Sequence, residues 1–218
     1  MSAQRERSTG VASAIDEVTQ LVLRERQCRD RGWWDQMADC FAADSTVDMS
    51  WFTGSGPDFV RESERMAAGG WGGHGVHRLS PPVIRVRGNR ALAELPLTIE
   101  FRIPVASVEA DLTSYARSQY RAQLLGGSWR IVAITSIYER DTLVPSVPGT
   151  RLDIDATELT GYRPSYRYLA WFLSRRGLLP RPDLLGDDQP EAVARQYQAE
   201  AAWLAGTHQP RAGDLAGT

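Results

Sequence analysis

The chain has 218 residues, 42% apolar and 24% charged, ordinary globular usage that sets aside wholesale disorder and fibrous or collagen-like chains. All 25 basic residues are arginine, which removes Schiff-base enzymes, pyridoxal-phosphate enzymes and Walker-type phosphate loops, each of which depends on a lysine amine. The net charge of -2, with no basic run longer than Arg175-Arg176, gives no bias toward nucleic acid or an anionic membrane, so neither is an expected partner.

Arginine holds its proton, so acid and base work falls to carboxylates, tyrosine, cysteine and the three histidines His74, His77 and His208. Cys28 and Cys40 form neither a disulfide framework nor a metal pattern and read as inert thiols in a reducing compartment. No stretch has signal-peptide character, and none approaches the roughly 18 apolar residues that span a membrane. The expected location is cytoplasmic.

In chain order, a flexible polar arm (1–11) precedes a capping-box pattern at Ser13-Ala14-Ile15-Asp16. Ile15, Val18, Leu21 and Val22 then recur at helical spacing, and the helix is expected to stop near Asp30-Arg31-Gly32. Trp34, Met37, Ala38 and Phe41 outline a second short helix to about Ala43, and Ser45 to Phe52 alternates as a strand. Pro57 opens a third helix with Phe59, Val60, Ser63, Met66 and Ala67 on one face, ended by a glycine-rich run. Strands follow over 76–87, 90–105, 111–125 and 128–140, punctuated by turns at Gly88-Asn89 and Gly126-Gly127. The pattern predicts an α+β domain over 12–143, a curved antiparallel sheet packed under helices. Residues 144–218 then form a linker, a C-terminal helical extension and a disordered tail. Two helices are expected there, one with Tyr166, Leu169, Phe172 and Leu173, the other with Ala194, Tyr197, Ala201 and Leu204 facing inward.

The phrases RDRGWWDQMADCFAADSTVDMSWF, GVHRLSPPVIRVRGNRALAE and GGSWRI, with their order and turn positions, resemble the SnoaL-like group of the nuclear transport factor 2-like superfamily. That group includes polyketide cyclases and scytalone dehydratase. The resemblance covers roughly residues 12–141 and implies a cone-like sheet around a mostly apolar pocket. Position by position, it puts Asp30 at the pocket aspartate of scytalone dehydratase and His77 at the histidine paired with it. Elsewhere the chain departs: Val105 stands for a second histidine, Arg29 and Met49 for two tyrosines, and Ser118 for an asparagine.

Asp30 reads either as an acid or base whose pKa rises in an apolar cone at a helix carboxyl end, or as a helix-end residue held by backbone amides. His77 reads either as its proton-shuttling partner or as a satisfied core histidine. A metal at His74 and His77 is rejected, because residues three apart on a strand face opposite ways. Strand parity places Met49, Trp51, Val105, Ser118 and Tyr120 on the pocket wall, with Trp33, Trp34 and Trp71 at the mouth and Tyr120 as a hydrogen-bond donor. The alternate positions Glu100, Arg102, Arg117, Gln119, Arg121 and Gln123 form an outer face toward solvent or a second subunit. Arginines other than Arg29 are expected mainly on outer faces, helix surfaces and turns.

The sequence therefore suggests a cofactor-independent enzyme, a dehydratase, cyclase or isomerase using Asp30 and His77 on a small hydrophobic carbonyl compound, active as a homo-oligomer (dimer or trimer). The alternative is a non-catalytic ligand carrier or structural subunit of the kind found in ring-hydroxylating dioxygenases. Epoxide hydrolysis would need a second pocket acid that the sequence does not offer.

Overall fold

The computed structural model describes residues 2–69, 75–178 and 180–206. Helix α1 (Ser2–Arg31) starts well before the capping pattern. Ser13 Oγ donates to Glu17 Oε1 at 2.8 Å inside the helix, so this pattern supports the helix one turn on rather than beginning it. The arm expected at 1–11 is thus helical from Ser2. The helix ends where expected, at Gly32, whose φ of 70° lies in the left-handed region. Trp33 N–H donates to Cys28 O and Gly32 N–H to Arg29 O, the paired bonds of a Schellman end.

The second helix, α2 (Trp34–Ala38), is shorter than its spacing suggests, because Phe41 is already paired with Ile131 in a strand. Strand β1 (Phe41–Met49) turns at Ser50-Trp51 into β2 (Phe52–Ser55), so the one strand expected over 45–52 is two. Helix α3 (Gly56–Ala68) has Pro57 in its first turn, and the Ser55 hydroxyl accepts the Asp58 N–H at 3.1 Å. Phe59 of α3 is fully buried and gathers the rings of Phe41, Trp51 and Phe52 at centroid distances of 5.4–6.2 Å.

Ser80-Pro81-Pro82 divides the next expected strand into β3 (Val76–Leu79) and β4 (Val83–Arg87), both antiparallel to β5 (Arg90–Val105). Proline has no N–H to give a ladder. Strands β6 (Val108–Leu125) and β7 (Ser128–Pro145) complete a curved, unclosed sheet of order β2-β1-β7-β6-β5-β3, with β4 also on β5. Pairing is antiparallel except between β1 and β7, which run parallel. Gly126 and Gly127 have φ of 57° and 85°, the conformation a two-residue hairpin requires.

Beyond β7, two short 3-10 turns lead to α4 (Arg167–Ser174), and α5 (Pro190–Ala205) ends at Gly206 with φ 80°. The two helices pack against opposite faces of the sheet. Leu169, Phe172 and Leu173 of α4 close over the inner face beside the cavity. α5 covers the outer face, where Tyr197 and Glu200 meet Arg117 and Arg121. The outer surface expected to face solvent or a second subunit is therefore partly covered by the chain's own helix, although Arg102 stays more than half exposed. The buried stripe of α5 is Val193, Gln196, Glu200 and Trp203, one position away from the expected Ala194, Tyr197, Ala201 and Leu204. It packs on charge, so its inward side is part polar. Among the described residues no helix is long and apolar enough to cross a membrane.

Candidate active site

The inner face of the sheet, α1, α3 and α4 enclose a cavity of about 320 Å³, within the usual range for small-ligand sites. Alternation along β5 and β6 aims Leu97, Ile99, Phe101, Ala116 and Ser118 inward, and His77 faces inward opposite Ile99 on β3. Phe101 and Phe172 meet at the cavity wall, tilted by 50° with centroids 4.9 Å apart. Gly75 permits this close wall, since a Cβ there would lie 2.5 Å from the Phe101 ring.

The structure brings Asp30 and His77 together. Asp30 stands in the last turn of α1, and one of its oxygens accepts the backbone N–H of His77 at 2.8 Å. This N–H belongs to β3 at the sheet edge, where ladder groups otherwise lack partners. The other oxygen lies 2.6 Å from His77 Nδ1. The backbone bond fixes the carboxylate, and the carboxylate fixes the ring.

The electrostatics differ from the expectation of a raised Asp30 pKa. Burial alone would raise it, but the hydrogen bonds and charge of His77, with Arg29 nearby, hold the carboxyl below its ordinary range. Burial also depresses the His77 imidazole by more than Asp30 raises it, and Arg26 and Arg29 add to the depression. Near neutral pH the pair is therefore a carboxylate and a neutral imidazole. Nδ1–H donates to Asp30, leaving Nε2 as a lone-pair base. Nε2 makes no hydrogen bond among the described residues, and His77 lines the cavity.

Of the other sequence-derived candidates, Trp34, Met49, Trp51 and Ser118 line the cavity. The Ser118 hydroxyl lies 3.0 Å from that of Ser136, giving a neutral polar pair on the wall. Val105 and Tyr120 do not reach the cavity. Val105 is 4% exposed in the core toward the far end of β5. Tyr120 is fully buried, and its hydroxyl donates to Glu25 Oε2 at 3.2 Å, so it is spent on structure beneath the site. Both follow the inward parity, but parity does not say how deep along the sheet the open space runs. Trp71, His74 and His208 lie outside the described residues.

Three features were missed. The first is a buried ion pair, Glu25 with Arg26, at side-chain exposures of 0% and 4%. The second is a cluster of arginines at the cavity: Arg26 and Arg176 line it as well as Arg29, the one arginine expected near its mouth. A signal for these was present, because the buried α1 stripe Val18, Leu21, Val22 continues at the same helical spacing into Glu25, Arg26 and Arg29. The third is Tyr138, a fully buried cavity residue whose hydroxyl accepts the Ser50 N–H at 2.8 Å. Cys28 and Cys40 are buried free thiols, with that of Cys40 pushed up to about 12 chiefly by burial.

Residues 11–135 match the SnoaL-like domain family, and the chain belongs to it, within the nuclear transport factor 2-like group. A curated relative, pea pathogenicity protein 2 of Fusarium vanettenii, is 30% identical over 184 residues, covering 81% of this chain and 77% of its own. An alignment taking up that share of 218 residues runs past α4 wherever it begins, so the helix over the cavity is part of the shared chain. Among solved structures, a type 2 hexachlorocyclohexane dehydrochlorinase superposes with TM-score 0.57 at 9% identity, covering 67% of this chain and 99% of its own. A proposed scytalone dehydratase from Novosphingobium aromaticivorans gives 0.53 at 14% identity, covering 66% and 99%. These likenesses show the fold.

Proposed function

We propose that the protein is a cofactor-independent enzyme that moves a proton at a carbon next to a carbonyl, with His77 as the base and Asp30 as its positioning partner. The carrying observation is the double contact of Asp30 to His77, at 2.6 and 2.8 Å, with Nε2 left without a hydrogen bond among the described residues at the cavity wall. In this reading Nε2 takes the α-proton, and the C–H electron pair moves onto the carbonyl as an enolate. Asp30 offsets the imidazolium that forms. The enolate then expels a β-hydroxyl, which leaves as water with the proton from Nε2, or it is reprotonated or attacks within the molecule. Dehydration, isomerisation and cyclisation thus share one first step. Two solved structures of similar fold are named as a hexachlorocyclohexane dehydrochlorinase and a proposed scytalone dehydratase, names that denote loss of hydrogen chloride and of water.

The proposal includes a homo-oligomer in the cytoplasm, where buried free thiols fit a reducing medium. Light scattering checks the oligomeric state. The chemistry is tested by following α-proton exchange of 1-tetralone in D2O by NMR, with no metal or nucleotide added. Acceleration over buffer is expected, with a loss of about 100-fold or more in folded His77→Gln and Asp30→Asn variants. No acceleration, or equal exchange in variants of unchanged Tm, would favour the ligand-carrier alternative.

A further inference from the structure

On the outer face Arg102, Arg117 and Arg121 have acidic or hydroxyl partners, and the Arg29 side chain has none among the described residues. Arg117 binds Asp187, Glu139 and Tyr197, and Arg121 binds Glu200. On α1, Arg26 is satisfied by Glu25. The guanidinium of Arg29 stacks instead on the rings of Trp51 and Phe59, at 5.3 and 5.8 Å from their centroids, and makes no hydrogen bond or ion pair among the described residues. Its Nε is shut off from solvent without an acceptor. The nearest acid in sequence, Asp30, has both oxygens engaged by His77.

A second orphan faces the same space. The Ser63 hydroxyl on α3 is buried without a partner, and Ser63 also lines the cavity. Buried polar atoms are seldom left unsatisfied, and two at one cavity point to a polar group that belongs there. The remaining wall is largely aromatic, with Trp34, Trp51, Phe101 and Phe172.

We propose that this cavity takes a planar apolar molecule bearing an anionic oxygen, an aromatic carboxylate or phenolate, and that Arg29 is the residue that receives it. The inference rests on the same cavity as the proposed proton transfer and narrows its substrate from a hydrophobic carbonyl compound to an acidic one. The rings of Trp51 and Phe59, with centroids 5.3 and 5.8 Å from Arg29 Cζ, hold the guanidinium at the cavity, where its fixed fork of donors suits a carboxylate or phenolate oxygen. The aromatic wall takes the ring, and Ser63 supplies a hydroxyl within the same space.

The test is binding, measured by calorimetry with 2-naphthoate and its neutral isostere 2-naphthamide on the full chain. Wild type is expected to bind the naphthoate at least about tenfold more tightly than the amide. Arg29→Gln is expected to abolish that preference, Arg29→Lys to keep part of it, and His77→Gln, which leaves the cation in place, to keep it whole. Equal binding of the two probes to wild type overturns the proposal without recourse to any variant. So does a preference that survives in Arg29→Gln. Because His77→Gln removes the base and not the anchor, a lasting preference with no proton exchange in wild type would leave Arg29 its role and remove the enzymatic reading.

Discussion

Along strand β6 the side chains alternate between two environments. Ala116 and Ser118 face the cavity, small enough to leave it open, while Arg117 and Arg121 face outward beneath α5. Both sides of the sheet carry buried charge. On the outer side two arginines under α5 are matched: Arg117 by two carboxylates and a tyrosine hydroxyl, Arg121 by Glu200, whose side chain is only 4% exposed. On the inner side Arg26 is matched and Arg29 is not. The difference separates charge that holds a helix in place from charge that awaits a ligand. An arginine is structural where its donors are all taken by the fold, and functional where burial leaves them facing a space.

That comparison can be broken by mutation. The largest expected effect is on the inner side. Glu25→Ala leaves Arg26 buried without its carboxylate and Tyr120 without its acceptor, and should cost about 3–5 kcal/mol in urea unfolding. A loss below about 1 kcal/mol would show that this pair contributes little. On the outer side, Arg121→Ala strands Glu200 but opens an edge to water, and about 1–3 kcal/mol is expected. Naphthoate binding in the cavity should not change. A weakened cavity would mean that the two faces are coupled through β6.

A smaller effect concerns the helix over the cavity. Asp141 Oδ2 accepts the Leu169 N–H at 2.8 Å near the start of α4, and burial pushes this carboxyl up to about 6. A folded value above the unfolded one favours the protonated form. The stability it contributes is therefore full below about pH 4 and lost as pH rises through about 6. Asp141→Asn keeps an acceptor oxygen and removes the buried charge. It should raise Tm by about 2–4 °C at pH 8 and not at pH 4. A fall in Tm at pH 8 would show that the charged form is the better cap.

The smallest expected effect is in the pH profile of proton exchange. His77 acts as a base only when neutral, and burial depresses its value. The acid limb should therefore fall below the ordinary histidine value of about 6.5, with the rate level above it. A limb centred at or above 7 would mean that the titrating base is not a desolvated imidazole.

Much of the fold was legible because its signals are local. Gly32 ends α1, Gly126-Gly127 turns the hairpin and Gly206 stops α5 through positive φ that few residues adopt, and Pro57 opens α3 where its missing N–H costs nothing. The pairing of Asp30 with His77 came from family resemblance, since nothing in composition or spacing brings together residues 47 apart. The failures share a cause as well. Reading α5 by its apolar residues alone chose the wrong stripe, because this helix buries Gln196 and Glu200 against a charged sheet. Tyr120 and Val105 were placed on the cavity wall because parity gives a side chain's direction and not what it meets there.

The sequence by itself determined that no lysine could serve at the site, where most elements begin and end, and which way each strand residue points. Those properties depend on a residue's chemistry and its immediate neighbours. Only the tertiary structure decided that the Asp30 carboxyl and the His77 imidazole are both held below their ordinary ranges, since these shifts come from burial and from charges on separate elements. It also decided that the Arg29 Nε is shut off from solvent without an acceptor. The sequence supplies the donors, but their satisfaction depends on acceptors brought from distant parts of the chain.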